Sequence, residues 1–99
     1  MEKNKWLKLS RTQQLGNIGS EIARARYWQT HNDLVNRERA LERSLELLDL
    51  TLDDRRWKSG LKEIARLREV ICAWYYNLTL FDISPKELED YCISFVIRK

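Results

Sequence analysis

The stretch LVNRERALERSLELLDLTL, residues 34–52, decides the fold class. Leu34, Leu41, Leu45, Leu48 and Leu52 recur at spacings of three, four and seven, which places them along one side of an α-helix. Ala40 and Leu47 widen that stripe. The other side carries Arg39, Glu42, Arg43, Glu46 and Asp49, with opposite charges three apart, a pattern of small helix-surface attractions on a solvated face. Asn32 or Asp33 can cap the start. The spacing predicts a helix over 33–51.

The same period continues on both sides. Upstream, Leu15, Ile18, Ile22, Ala25 and Trp28 share one face, predicting a helix over 11–29. Ser10 followed by Gln13 forms a capping box at its start. Gly16 and Gly19 each cost up to ~1 kcal/mol relative to alanine inside a helix. Close packing against a neighbour explains their presence, or the helix starts later, near Asn17 or Ser20. Residues 1–9 form a short basic lead that Trp6, Leu7 and Leu9 anchor.

Downstream, residues 52–59 are the longest connection. Leu61, Ile64, Leu67, Ile71, Trp74 and Leu78 then predict a helix over 60–78, with Ala65, Val70 and Tyr75 broadening its apolar face. At Ser84-Pro85-Lys86-Glu87 the serine caps, the proline takes the first helical position, and the glutamate closes a capping box. The last helix is expected over 85–97, packing Leu88, Cys92 and Phe95 beside Tyr91. Its final turn carries strand-favouring residues. Four helices with short connections predict an all-α, antiparallel up-down four-helix bundle in one domain, 1–99.

Composition agrees. Of 99 residues, 43% are hydrophobic, which argues against a disordered chain. One proline and three glycines disfavour an all-β fold. The net charge of +3 permits nucleic acid without requiring it. Two cysteines without a signal-peptide pattern read as reduced thiols, and no apolar run approaches the ~20 residues that span a membrane. A cytoplasmic protein without membrane contact is expected.

No complete catalytic set stands out. His31 follows Arg24 and Arg26 at a spacing that a metal-independent ribonuclease can use, with histidine as general acid or base and arginine stabilising phosphorane charge. The plainer reading makes His31 a solvated helix-end residue. Glu42, Glu46, Asp49 and Asp53 line one side of a helix, but without histidine partners and with Arg39 and Arg43 among them they predict no metal site and no cofactor. Asp53-Asp54-Arg55-Arg56-Trp57, with Lys58, can clamp a phosphate and stack a base, or form a salt-bridged turn whose tryptophan closes the bundle end. Cys72 and Cys92 fit as small core fillers.

Aromatic residues give the strongest hint. Trp74, Tyr75 and Tyr76 span more than half the circumference of a helix and cannot all face one thin core, so Tyr76 is expected outside. Tyr27, Trp28, Trp57, Tyr75 and Tyr76 are therefore the candidate interface residues, since tyrosine and tryptophan anchor protein interfaces. The expected partner is a second copy or another protein.

The segments LGNIGSEIARAR (15–26), ALERSLELLDLTL (40–52), LREVIC (67–72) and ELEDYC (87–92) resemble short prokaryotic helical proteins encoded beside minimal nucleotidyltransferases. These are similar to the HEPN (higher-eukaryote and prokaryote nucleotide-binding) superfamily of bundles. The resemblance implies a helical partner of a nucleotidyltransferase in a toxin–antitoxin-like pair. HEPN ribonucleases carry a polar residue after the motif arginine. Here Tyr27 follows Arg26 and Ala25 follows Arg24, so the resemblance implies a partner rather than a nuclease.

Overall fold

Helix signals of both kinds, apolar period and caps, are realised in the computed structural model, which describes residues 2–77 and 84–97, with side chains up to Ile93. Among the described residues every regular element is helical: α1 (Lys3–Lys8), α2 (Arg11–Thr30), α3 (Leu34–Leu52), a 3-10 segment (Arg55–Gly60), α4 (Leu61–Tyr75) and α5 (Pro85–Ile97). No helix there is long and apolar enough to cross a membrane.

Helix α2 begins where its capping box requires. Ser10 Oγ accepts from the Gln13 amide at 3.0 Å, and Gln13 Oε1 accepts from the Ser10 amide at 2.8 Å. Its end is set by Asn32, which takes the left-handed conformation at φ 57°. The Asn32 amide donates to Gln29 O and the Asp33 amide to Trp28 O, satisfying carbonyls that the helix leaves open. Asp33 then caps α3 by accepting from the Asn36 amide. Asn77, also at φ 57°, stops α4 at Tyr75. The helix expected to reach residue 78 is therefore shorter, and Leu78 lies outside the described residues, as does the side chain of Phe95. At α5, Ser84 Oγ accepts from the Glu87 amide at 3.2 Å.

Two expected connections are helical. The lead folds as α1, which buries Trp6 completely. The 52–59 connection contains the 3-10 segment, whose start Asp54 caps through the Arg56 amide. Both changes have one cause, a satisfied polar cluster under this end of the protein. Buried Gln14 donates to Trp6 O at 3.0 Å and to Asp54 Oδ2 at 2.9 Å, while its Oε1 accepts from Trp57 Nε1 at 2.7 Å. Trp6 Nε1 donates to Thr51 Oγ1 at 3.0 Å. Once these groups are paired, the two tryptophans can enter the core without stranding a donor.

Helix α2 is central, packing on α3 and α5, while α4 lies on α3. Cross-links between α2 and α3 run in opposite order along the chain, from Gln29–Arg37 through Glu21–Arg43. The core joins Leu15, Ile18 and Ile22 of α2 to Leu41 and Leu48 of α3, Ile64 and Ile71 of α4, and Leu88 and Cys92 of α5. The buried seam of α3 differs from the leucine stripe read in the sequence. Arg37, Ser44 and Thr51, seven apart, lie inside beside Leu41 and Leu48, and Leu45 and Leu52 are only partly covered. Ser44 and Thr51 donate to the carbonyls of Leu41 and Leu47 within their own helix, which lets small polar residues occupy core positions. Leu34 and Leu61, expected in the core, are exposed because each is the first residue of its helix and precedes the packed seam.

Gly19 is needed at the α2–α5 crossing. A β-carbon there would stand 2.9 Å from Cys92 Cβ, a backbone-anchored atom that cannot swing away. Gly16 meets no such neighbour among the described residues.

The carboxyl of Asp54 is held at about 2, below its ordinary 3.8, first by the hydrogen bonds of the Arg56 side chain, then by Gln14 and the Arg56 amide, against the opposing effect of burial. The folded value lies below the unfolded one, so protonation favours unfolding. The stabilisation is complete above about pH 4 and is lost as pH falls towards 2. Denaturant titrations at pH 6, 4, 3 and 2 should show a steeper loss for the native chain than for Asp54→Asn across that window. Parallel losses in the two proteins would contradict the assignment.

Candidate functional site

Among the described residues, the α2–α3 turn end gathers most of the strongly exposed apolar side chains. Tyr27 near the end of α2 is 51% exposed, Leu34 and Val35 at the start of α3 are 58% and 62%, and Tyr76 after α4 is 66%. These segments are tied together from inside by Arg37, which is 2% exposed. Its Nε donates to Gln29 Oε1 at 2.8 Å, and its Nη2 donates to Trp74 O at 2.7 Å and Asn77 Oδ1 at 3.0 Å. Its guanidinium lies 5.8 Å from the Trp74 ring, whose Nε1 also donates to Gln29 Oε1. A cation set against the last carbonyls of α4 meets the negative end of that helix. One buried arginine thus fixes the ends of three helices, and the exposed side chains sit on that rigid base.

The candidate aromatics divide. Tyr27 and Tyr76 are surface residues. Trp28 is half-buried, with the Tyr27 ring edge-on at 4.9 Å. Tyr75 is half-buried, and its hydroxyl donates to Glu42 Oε2 at 2.7 Å. That bond to a carboxylate, with burial added, pushes the phenol up to about 12. Trp57 is 3% exposed and bonded to Gln14, so its ring is in the core and closes the opposite end. Leu34 and Val35 escaped sequence reasoning because a leucine in phase with a stripe reads as core. Its position as the first residue after an Asn-Asp turn was the available signal.

His31 caps the end of α2, exposed, with Nδ1 donating to Tyr27 O at 2.8 Å and its ring 4.1 Å from that of Tyr27. It shares a shallow depression with Arg26, Ala23, Tyr27 and Thr30. Arg26 is ion-paired with Glu89 of α5 at 2.7 Å. Arg24 is held by Glu21 at 2.6 Å, and the other oxygen of Glu21 takes Arg43 at 2.6 Å. Of the two arginines expected beside His31, Arg26 lines the depression and Arg24 does not, and both are occupied by carboxylates.

The acidic side of α3 is also dispersed: Glu42 serves Tyr75, Asp49 pairs with Arg68, and Asp53 lies 3.8 Å from Lys3. Among the described residues no group of three or more His, Cys, Asp or Glu is placed to hold a metal ion. Arg56 is spent internally on Asp54 and Leu7 O, leaving Arg55 and Lys58 exposed beside it. Cys92 is buried, and its burial, with Glu89 nearby, raises the thiol to about 12.

Comparison with family models, with curated protein sequences and with solved structures finds no match to this chain.

Proposed function

We propose that this protein is a non-enzymatic interaction module, an antiparallel four-helix bundle that self-associates or docks on a partner protein through its α2–α3 turn end. The observation that carries the reading is the group Tyr27, Leu34, Val35 and Tyr76, each more than half exposed on segments that Arg37 holds rigidly. Large apolar side chains on a prepared base lose little conformational freedom when covered. The partner suggested by the HEPN-like resemblance is a cytoplasmic nucleotidyltransferase in a toxin–antitoxin-like pair. The alternative nuclease reading has less support, because Arg24 and Arg26 are both engaged with carboxylates. The module uses neither metal nor cofactor.

The test is a comparison of the native chain with a Tyr27→Ser/Tyr76→Ser variant, by sedimentation velocity alone and by stoichiometric co-purification from the native host. Removing two anchors of an interface should weaken assembly by tenfold or more, since anchor residues contribute about 2 kcal/mol each. A variant with unchanged mass in solution and unchanged companions would refute the proposal.

A further inference from the structure

The opposite end of the molecule has a different character. Residues 2–11 and 53–62 hold eight lysines and arginines against three carboxylates, a net +5 in a chain of +3, so the remainder carries −2. These two segments are far apart in sequence and joined in space. Arg56 Nη2 donates to Leu7 O at 3.0 Å, Arg11 Nη1 donates to Arg56 O at 3.4 Å, and Arg11 lies 5.8 Å from the Trp57 ring. Lys3 lies 3.8 Å from Asp53.

Among the described residues, most cations elsewhere are spent on carboxylates, with Arg39 exposed and Arg37 buried as exceptions. Arg24, Arg26, Arg43, Arg68 and Lys86 are each paired with a carboxylate. Lys5, Lys8, Arg55, Lys58 and Lys62 are exposed and have no acidic partner among the described residues. Asp54, the carboxylate best placed to neutralise them, is buried and committed to Arg56 and Gln14. Five unpaired cations gathered by folding onto one end repel one another, and an external polyanion relieves that repulsion.

We propose that this end binds the phosphate backbone of a duplex nucleic acid, without reading its bases. Single-strand binders join cations to aromatic platforms on which bases stack. Here both tryptophans of the end, Trp6 and Trp57, are inside the protein, bonded to Thr51 and Gln14. The same burial removes the aromatic anchors that a lipid surface would engage. What remains is a set of flexible point charges on two short helical segments, suited to evenly spaced phosphates. The surface is distinct from the turn end, so either can operate without the other.

The experiment is fluorescence anisotropy with a labelled 20-base-pair duplex, a 20-nucleotide single strand, and vesicles of phosphatidylserine and phosphatidylcholine, each across 25–200 mM salt. The native chain should prefer the duplex, with affinity falling linearly in log salt. The variant Lys5→Gln/Lys8→Gln/Arg55→Gln/Lys58→Gln should bind at least about tenfold more weakly, with a salt slope shallower by roughly 0.9 for each phosphate it no longer neutralises. Arg39→Gln, on the exposed side of α3, should match the native chain. Circular dichroism checks that the variant is folded. Should it not be, the two double variants test each segment separately. Absence of duplex binding at 25 mM salt, equal binding by the folded variant, or tighter binding to single strand or vesicles would each overturn the proposal.

Discussion

Trp6→Ala should lower stability by about 3–5 kcal/mol, the usual cost of emptying a site filled by a large aromatic. Trp6 is on a helix of six residues, too short to persist alone, and its side chain is completely buried. The ring is part of the hydrophobic core, its Nε1 donates to Thr51, and its carbonyl accepts from Gln14. Alanine would open a cavity and remove the donor that faces Thr51. It would also loosen the backbone that holds Gln14, Asp54 and Trp57 in one network. Stabilities of small domains are about 5–15 kcal/mol, so the loss is a large share of the total. Urea denaturation measures it. A change under about 1 kcal/mol would mean that α1 is not part of the cooperative unit.

Arg37→Met should cost about 3 kcal/mol, a fall in melting temperature of roughly 12 °C or more for a domain of this size. Methionine keeps much of the stem volume and removes the charge. Among the described residues Arg37 has no carboxylate partner. It is stabilised by three neutral acceptors and the Trp74 ring. Its loss leaves Asn77 Oδ1 without its donor, and Trp74 O with the Asn77 amide alone, at the place where α4 stops. Hydrogen exchange should accelerate first in the last turns of α2 and α4. Arg37→Lys should rescue little, because one ammonium cannot reproduce the planar fork that reaches Gln29 and Asn77 together. A lysine variant as stable as the native chain would sink this account.

The ends of α2, α3 and α5 were legible because capping is local chemistry: Ser10 with Gln13, Asp33, and Ser84 before Pro85 announce themselves within four residues. The apolar face of α2, and Leu88 and Cys92 of α5, were legible from their spacing of three and four. The α3 seam was legible only in part. Apolar counting finds Leu41 and Leu48, but it cannot find Arg37, Ser44 and Thr51, whose burial depends on acceptors supplied by their own or distant turns. Helix α1 was missed because a six-residue helix has no period to read. It exists through its contact with a residue 45 positions away. At the surface, three adjacent aromatics required one to be exposed, and Tyr76 is. Trp57 admits two readings in the sequence, an interface anchor or the closure of the bundle end, and its bond to Gln14 selects the second.

The close approach of Gly19 to Cys92 gives this chain a chronometer of its own. The Cys92 thiol is shut beneath α2, and its acidity is suppressed by burial, whereas the Cys72 thiol on α4 is half open to solvent. A thiol reagent meets Cys72 on the closed protein and meets Cys92 when α5 lifts. The ratio of the two reaction rates, corrected for the intrinsic reactivity of each thiol, reports the free energy of that lift.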